Sequence, residues 1–241
     1  MTSWLAKFPA PAIAACLLAS SLSGCADGPV PEMRTLNPWL RRQWADDEAY
    51  GPTYHRKVAD LAALRSSAPS LAPENQERIA QELAGRLKDE PSAAMRLELT
   101  RALGELPTAS AQAALAATLT DENAQVRAVA CTALGRRQSG EALQALGGVV
   151  AGDADLDVRI AAARELGRFR DPAAAQALRA ALDENDAALQ GVAMQSLRGI
   201  TGQTKYANSV PAWREYLDGG NPTPPPAPSI AQTLQKYWYW Y

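Results

Sequence analysis

One histidine, two phenylalanines and three cysteines in 241 residues already exclude several kinds of protein. The lone histidine, His55, stands in Tyr54-His55-Arg56-Lys57. It has no second histidine to share a metal and no serine or cysteine nucleophile motif to activate, so it reads as a surface residue at a polar helix start. Cys16, Cys25 and Cys131 form no CxxC pair and no Cys/His ligand spacing, so neither a zinc site nor any other metal is expected. An excess of positive charge is also missing. Lys and Arg number 24 against 26 Asp and Glu, and no basic block is longer than Arg41 with Arg42 or Arg136 with Arg137. That balance argues against a nucleic-acid partner, whose binding draws on a basic surface. Strand-forming runs of Val, Ile, Thr and aromatics are almost absent before the last few residues, which leaves little to build a sheet.

What the chain has is alanine, leucine and a period. Apolar residues make up 47% of it, and alanine has the best intrinsic helix propensity. One pattern returns four times: MRLELTRALG from Met95, VRAVACTALG from Val126, VRIAAARELG from Val158 and LQGVAMQSLRG from Leu189. Each opens a helical pair. The first helix ends near Gly104, Gly135 or Gly167, glycines that suit a left-handed stop; the fourth unit carries Arg198 in that column and Gly199 one place later. Pro107, Ser139 and Pro172 mark the next helix start. Leu115 with Leu119, Leu146 with Val150 and Leu178 with Leu182 fill matching columns of the second helix, and Asp121, Asp153 and Asp183 break it. A period of about 31 residues with two helices per unit predicts an all-α solenoid, of four to five helical hairpins over residues 53–218.

These repeats resemble the HEAT repeat, in the short form also found in phycobilin-lyase-like proteins. The resemblance rests on the Asp-x-x-Val-Arg-type starts at 121–127 and 155–159 and on the Ala-Leu-Gly endings; it covers 90–200 well and 53–218 loosely. It implies that the arginines opening successive first helices, Arg96, Arg127 and Arg159, form a structural ladder with acids of a neighbouring repeat. Asp121, Asp155 and Asp157 are the candidate partners, and Gln190 ends the series. The alternative is an arginine stripe that captures carboxylate or phosphate; recurrence at each repeat favours the ladder. The outward positions of the second helices, Ala113, Ala116, Ala117, Gln144, Gly147, Gly148, Gln176 and Arg179, are small or neutral for the most part and hold no catalytic cluster. Gly147 and Gly148 would either admit a close approach by a partner or shorten their helix.

The informative residues lie towards the ends. Residues 1–24 carry Lys7 and then an apolar stretch, the layout of a secretory signal. They run into Leu22-Ser23-Gly24-Cys25, which resembles the lipobox of bacterial lipoproteins. The resemblance implies cleavage before Cys25, lipidation of Cys25 and anchoring of the chain to a membrane, with the periplasmic face of the outer membrane preferred because Ala26 follows. Cys131 would then have no intrachain disulfide partner and reads as a small buried helix residue. Residues 25–38 read as a tether, and 39–52, with Leu40 and Trp44 four apart, as a cap on the stack. Residues 53–89 suggest one degenerate helical pair. Trp213, Tyr216 and Leu217 form a large-residue helix that closes the far end. A Pro-rich linker follows over 219–228, and then a tail, 229–241, ending in Tyr237, Trp238, Tyr239, Trp240 and Tyr241. That tail is a candidate docking segment for a partner or a membrane interface, or a flap that covers the chain's own solenoid.

The expected function is therefore a membrane-anchored scaffold that binds a protein partner, with no catalytic residue and no cofactor. A lyase-like or chaperone-like protein acting on a small molecule or a cofactor-bearing protein is the alternative.

Overall fold

The computed structural model describes residues 51–206 and 208–224. The expected signal segment, Cys25, the tether, all but the last two residues of the cap segment, and the tail with Tyr237, Trp238, Tyr239, Trp240 and Tyr241 lie outside them. The chain divides into two compact units, Met1–Lys57 and Val58–Tyr241. In the described part of the first, Tyr54 and His55 are exposed and set their rings edge to face, 5.8 Å apart.

The described residues are all helical, without strands. Helix α1 spans Tyr54–Ser67 and a short 3-10 turn covers Ala68–Ser70. Then follow α2 (Pro73–Asp89), α3 (Ala93–Gly104), α4 (Ala109–Thr118), α5 (Ala124–Gly135), α6 (Gly140–Gly152) and α7 (Leu156–Leu166). The last group is α8 (Pro172–Ala177), α9 (Arg179–Asp183), α10 (Ala187–Thr201) and α11 (Val210–Leu217). Within the second unit, α3, α5, α7 and α10 form one row, each packed on the next. The second helices α4, α6 and the α8–α9 pair lie against them, α2 packs on α3 and α4, and α11 packs on α9 and α10.

The helix starts follow from short polar side chains. Ser92, Thr108, Asn123, Ser139, Asp155, Asp171, Asp186 and Ser209 each accept a backbone N–H from the first turn they precede. Such a cap contributes about 1 kcal/mol, because that N–H has no partner inside the helix. The core is a file of leucines: Leu103, Leu115, Leu134, Leu146, Leu166, Leu178, Leu182, Leu189 and Leu197 are each almost wholly buried. At about 1.5–3 kcal/mol for each side chain removed from water, this file drives the stacking. The closing helix holds Trp213, fully buried, with its ring 5.3 Å from Tyr206 and 5.9 Å from Tyr216.

The glycine column does something other than stop helices. Gly104 and Gly135 remain helical and Gly167 keeps a right-handed φ of −62°. The left-handed stop occurs instead at Gly202, φ +70°, whose N–H donates to the Arg198 carbonyl at 2.9 Å. What the column provides is close contact between repeats. A Cβ on Gly104 would lie 3.1 Å from Cβ of Ala133; on Gly135, 2.6 Å from Cβ of Glu165; and on Gly167, 3.0 Å from Cα of Ser196. The second helices show the same use once. Helix α6 runs unbroken through Gly147 and Gly148, and Gly147 faces Ala177 of α8, where a Cβ would meet its methyl at 3.2 Å. Gly148 faces open space.

Candidate functional site: an arginine ladder and the groove beside it

The repeat-opening arginines all turn toward the loops between repeats. Arg96 is buried on α3. Its Nε donates to Oδ2 of Asp121 at 2.8 Å and one terminal nitrogen donates to Oδ1 at 2.9 Å, a forked pair. The same nitrogen reaches Glu122 at 2.9 Å, and the other donates to the carbonyls of Pro91 and Glu90 at 3.0 and 3.3 Å. Arg127 repeats this one unit later. It forks onto Asp153 with both contacts at 2.8 Å, and its remaining nitrogen donates to the carbonyls of Asp121 and Glu122 at 2.8 and 3.3 Å. Planar, bidentate geometry of this kind is what a guanidinium supplies and an ammonium does not.

The acids that receive these arginines are Asp121 and Asp153, not Asp155 or Asp157. Asp155 is spent as the N-cap of α7, accepting from the N–H groups of Asp157 and Val158 at 2.9 and 3.3 Å. The two roles sit two residues apart. The first acid of the loop takes the arginine; the second, Asn123 or Asp155, caps the helix. In the next loop that rule selects Glu184 ahead of the cap Asp186, and the longer side chain loses the fork. Arg159 makes one contact with Glu184 at 3.3 Å, and its Nε is buried without a hydrogen-bond partner. Gln190, in the fourth unit, keeps only the carbonyl half of the pattern, donating to Leu182 and Glu184.

Electrostatics follow the geometry. Burial alone would raise the Asp121 carboxyl; the hydrogen bonds from Arg96 and the Asn123 N–H overcome it and hold the group below the usual carboxylate range. Asp153 follows suit, with burial outweighed by Arg127 and the Asp155 N–H. The carboxylates in turn raise Arg96 and Arg127 above the ordinary arginine value, against burial. Cys131 lies fully buried on α5, and burial pushes its thiol up to about 12, so at neutral pH it carries none of the thiolate that makes a cysteine reactive.

Two further polar groups inside the stack carry no signal in the repeat columns. Arg137 follows the turn glycine of its unit where the neighbouring units place Leu106 and Phe169, both buried. It turns inward and donates to the carbonyls of Leu106, Leu103 and Thr108 at 2.6, 3.0 and 3.4 Å, closing the open end of α3. Glu165 is buried in α7 against Gly135, in ionic contact with Arg168 at 3.1 Å. Burial raises its carboxyl, and Arg168, Arg136 and Arg164 only partly offset that. A group raised in the folded state contributes stability below its unfolded value near 4.5 and loses it as pH rises through the folded value. Glu165→Gln is therefore expected to be more stable than the parent at pH 7. Urea midpoints measured from pH 4 to 8 should converge at the acid end. Midpoints separated equally at pH 4 and pH 7 would contradict the assignment.

A groove of about 770 Å³ opens where α2 and α4 face each other. Ala84 and Leu87 of α2 and Ala113 and Ala117 of α4 line it, together with Lys88, Ser110 and the first ladder pair, Arg96 and Asp121. Ala113, Ala116, Ala117, Gln144, Gly148 and Gln176 are exposed on the second helices, Gln176 with its amide on the Leu217 carbonyl. Arg179 is engaged by Asp183 and Asp218. Among the described residues, no three His, Cys, Asp or Glu side chains gather as a metal site requires. No described helix is long and apolar enough to cross a membrane.

Two overlapping stretches, 80–150 and 113–198, match the family of HEAT repeats. Together they span 80–198, where the stacked helical pairs have the architecture of HEAT repeats. No curated protein matches the chain. Among solved structures, human deoxyhypusine hydroxylase in complex with glycerol resembles it at 25% identity and a TM-score of 0.47, over 52% of this chain and 44% of that one. The chain thus spans less than half of that enzyme's length, and the likeness is too distant to carry an activity across. In the repeats of this chain the ladder arginines are occupied by repeat-to-repeat bonds, and the groove and the small-residue face of the second helices lie open.

Proposed function

We propose that the chain is a lipid-anchored scaffold without catalytic activity, held at a membrane through an acylated Cys25 and binding a protein partner through its HEAT repeats. The observation that carries this reading is the employment of the conspicuous polar groups. Arg96, Arg127, Arg137 and Gln190 bond to neighbouring repeats and loops, and among the described residues the exposed face of the second helices carries mostly small side chains. The Leu22-Ser23-Gly24-Cys25 motif supports the anchor, and several acyl chains on one residue hold a protein stably where one would be marginal. We place the anchor at the periplasmic face of the outer membrane, with the tail residues Tyr237, Trp238, Tyr239, Trp240 and Tyr241 as a second contact for the partner.

The mass of the mature N-terminal peptide tests the anchor. A triacylated or diacylated Cys25 at the new N-terminus is expected, and Cys25→Ala should leave the membrane fraction. A mature protein that begins elsewhere, without acyl mass, would overturn the anchor. Site-specific photocrosslinkers at Ala113 and Ala117 test the surface. They should trap one protein that the same probe at Arg101, on a first helix, does not. Equal trapping from both rows would sink the assignment of the binding face.

A further inference from the structure

Charge in the HEAT unit is sorted by edge. The loops that lead from one repeat to the next carry acids: Asp89 and Glu90, then Asp121 and Glu122, then Asp153, Asp155 and Asp157, then Asp183, Glu184 and Asp186. No Lys or Arg interrupts those loops. The turns inside the second and third repeats, at the opposite ends of the same helices, are basic. Arg136 follows α5, Arg164 lies in the last turn of α7, and Arg168 and Arg170 follow α7. The ladder arginines Arg96, Arg127 and Arg159 offset three of those ten acids, so the inter-repeat edge stays acidic while the turns of the second and third repeats carry the arginines.

Three of the four arginines share one neighbour. Arg136, Arg164 and Arg168 all act electrostatically on the same carboxylate, Glu165. Gly135, next to Arg136, packs on Glu165, the carboxylate that Arg168 of the next repeat also reaches. Glu165 is itself buried, and Arg168 reaches it at 3.1 Å while keeping much of its own side chain exposed. Arg164 and Arg170 are exposed, and the side chains of Arg136 and Arg168 retain 51% and 56% of their accessible surface. The opposing charges are Glu105, paired with Arg136 at 2.8 Å, Glu165, and the α8 cap Asp171. Helix dipoles favour cations at these helix ends, but the dipole does not explain the number: the equivalent turn after α3 holds Glu105, and Arg168 and Arg170 lie beyond α7 altogether. Arg170 also lines a second groove, of about 450 Å³, together with Pro172, Ile200, Leu217 and Tyr216.

We propose that this edge, Arg136, Arg164, Arg168 and Arg170, lies against an anionic phospholipid surface. Several exposed guanidiniums on the turns of successive repeats suit a surface of many phosphates better than a single small anion. A cleft with apolar walls and a tyrosine at its side suits the boundary between headgroup and acyl chain, where tyrosine is favoured. The acidic edge would then face away, which orients the stack. The proposal deepens the reading of the chain as a membrane-anchored protein. Absence of acyl mass on Cys25 would remove that reading and leave the lipid preference of the edge separately measurable.

The test compares the full chain with Arg136→Gln/Arg164→Gln/Arg168→Gln/Arg170→Gln in co-sedimentation with vesicles of pure phosphatidylcholine and of phosphatidylcholine with 30% phosphatidylglycerol. The ratio of the two affinities cancels any charge-independent contact by either terminus. For the parent at 0.1 M salt the expected preference is about five-fold, the one charge that remains when Glu105, Glu165 and Asp171 are set against the four arginines, and it should collapse at 0.5 M salt. The glutamine variant should lose it. The four-lysine variant should keep most of it with the same helical circular dichroism, which separates charge from folding. A preference that survives in the glutamine variant, or a parent with no preference, would overturn the proposal. So would binding to polyglutamate without discrimination between the vesicles, which would assign the edge to an acidic protein.

Discussion

Trp213→Ala is expected to release the closing helix while leaving the first repeats folded. Trp213 is fully buried and meets Tyr206 and Tyr216 edge-on or nearly so. Its removal takes away both the apolar area and the aromatic contacts, with a cavity left behind, a change that costs about 3–5 kcal/mol in a packed core. In a stack where each repeat touches only its neighbours, that loss is local. Amide exchange in α11 and the last turns of α10 should accelerate at least a hundredfold, since about 1.4 kcal/mol corresponds to a factor of ten. Protection in α3 and α5 should hardly change. If protection fell evenly from α3 to α11, the unit would unfold as one body and the nearest-neighbour account would be wrong.

Arg127→Ala ranks second, at about 3 kcal/mol. It strands Asp153, whose side chain is 7% exposed, and it withdraws the donor from two loop carbonyls. Breaking a fully buried pair costs about 3–5 kcal/mol, and the lower end applies because Arg127 retains 14% exposure at the edge of the stack. Asp153→Ala should cost a similar amount, and the double variant clearly less than the sum, by about 1–3 kcal/mol of coupling. Arg127→Lys should not recover the loss, because one ammonium cannot fork a carboxylate and reach the Asp121 carbonyl together. The pH dependence runs opposite to that of Glu165. Asp153 is held below its ordinary value, so its contribution is present above about 3.8 and disappears as pH falls through the folded value. Denaturation at pH 7 and at pH 2.5 decides this: the gap between parent and Arg127→Ala should shrink in acid, and a constant gap would show that packing, not charge, had been lost.

The helical pairs and the repeat period were legible because hydrophobic spacing reports directly on which face is buried. Leu103, Leu134, Leu166 and Leu197 occupy one column of the sequence and one file of the core. The ladder was half legible. Arg96, Arg127 and Arg159 stand in a visible column, but the choice between Asp153 and Asp155 depends on which acid is claimed by the helix start, and two acids two residues apart look alike until the backbone turns. The glycine column invited a conformational explanation, since glycine commonly ends helices. Its actual use, contact with Ala133, Glu165 and Ser196 in the next repeat, lies in the approach distance between helices, which no single repeat encodes. Arg137 was illegible for a related reason. A charged residue in a column of Leu and Phe looks like a surface substitution unless the carbonyls it closes are known.

Asp121 belongs to two rungs at once: its carboxylate holds Arg96 and its carbonyl receives Arg127. The bonds from Arg96 through Asp121 and Arg127 to Asp153 thus form an unbroken tie along one side of the stack. Beyond it Arg159 grips Glu184 with a single contact and Gln190 touches carbonyls alone. In mechanical terms the stack is a spring of uneven stiffness. Pulled from its two ends, it yields first at the joint between α9 and α10, and the repeats around α3 and α5 move as one block.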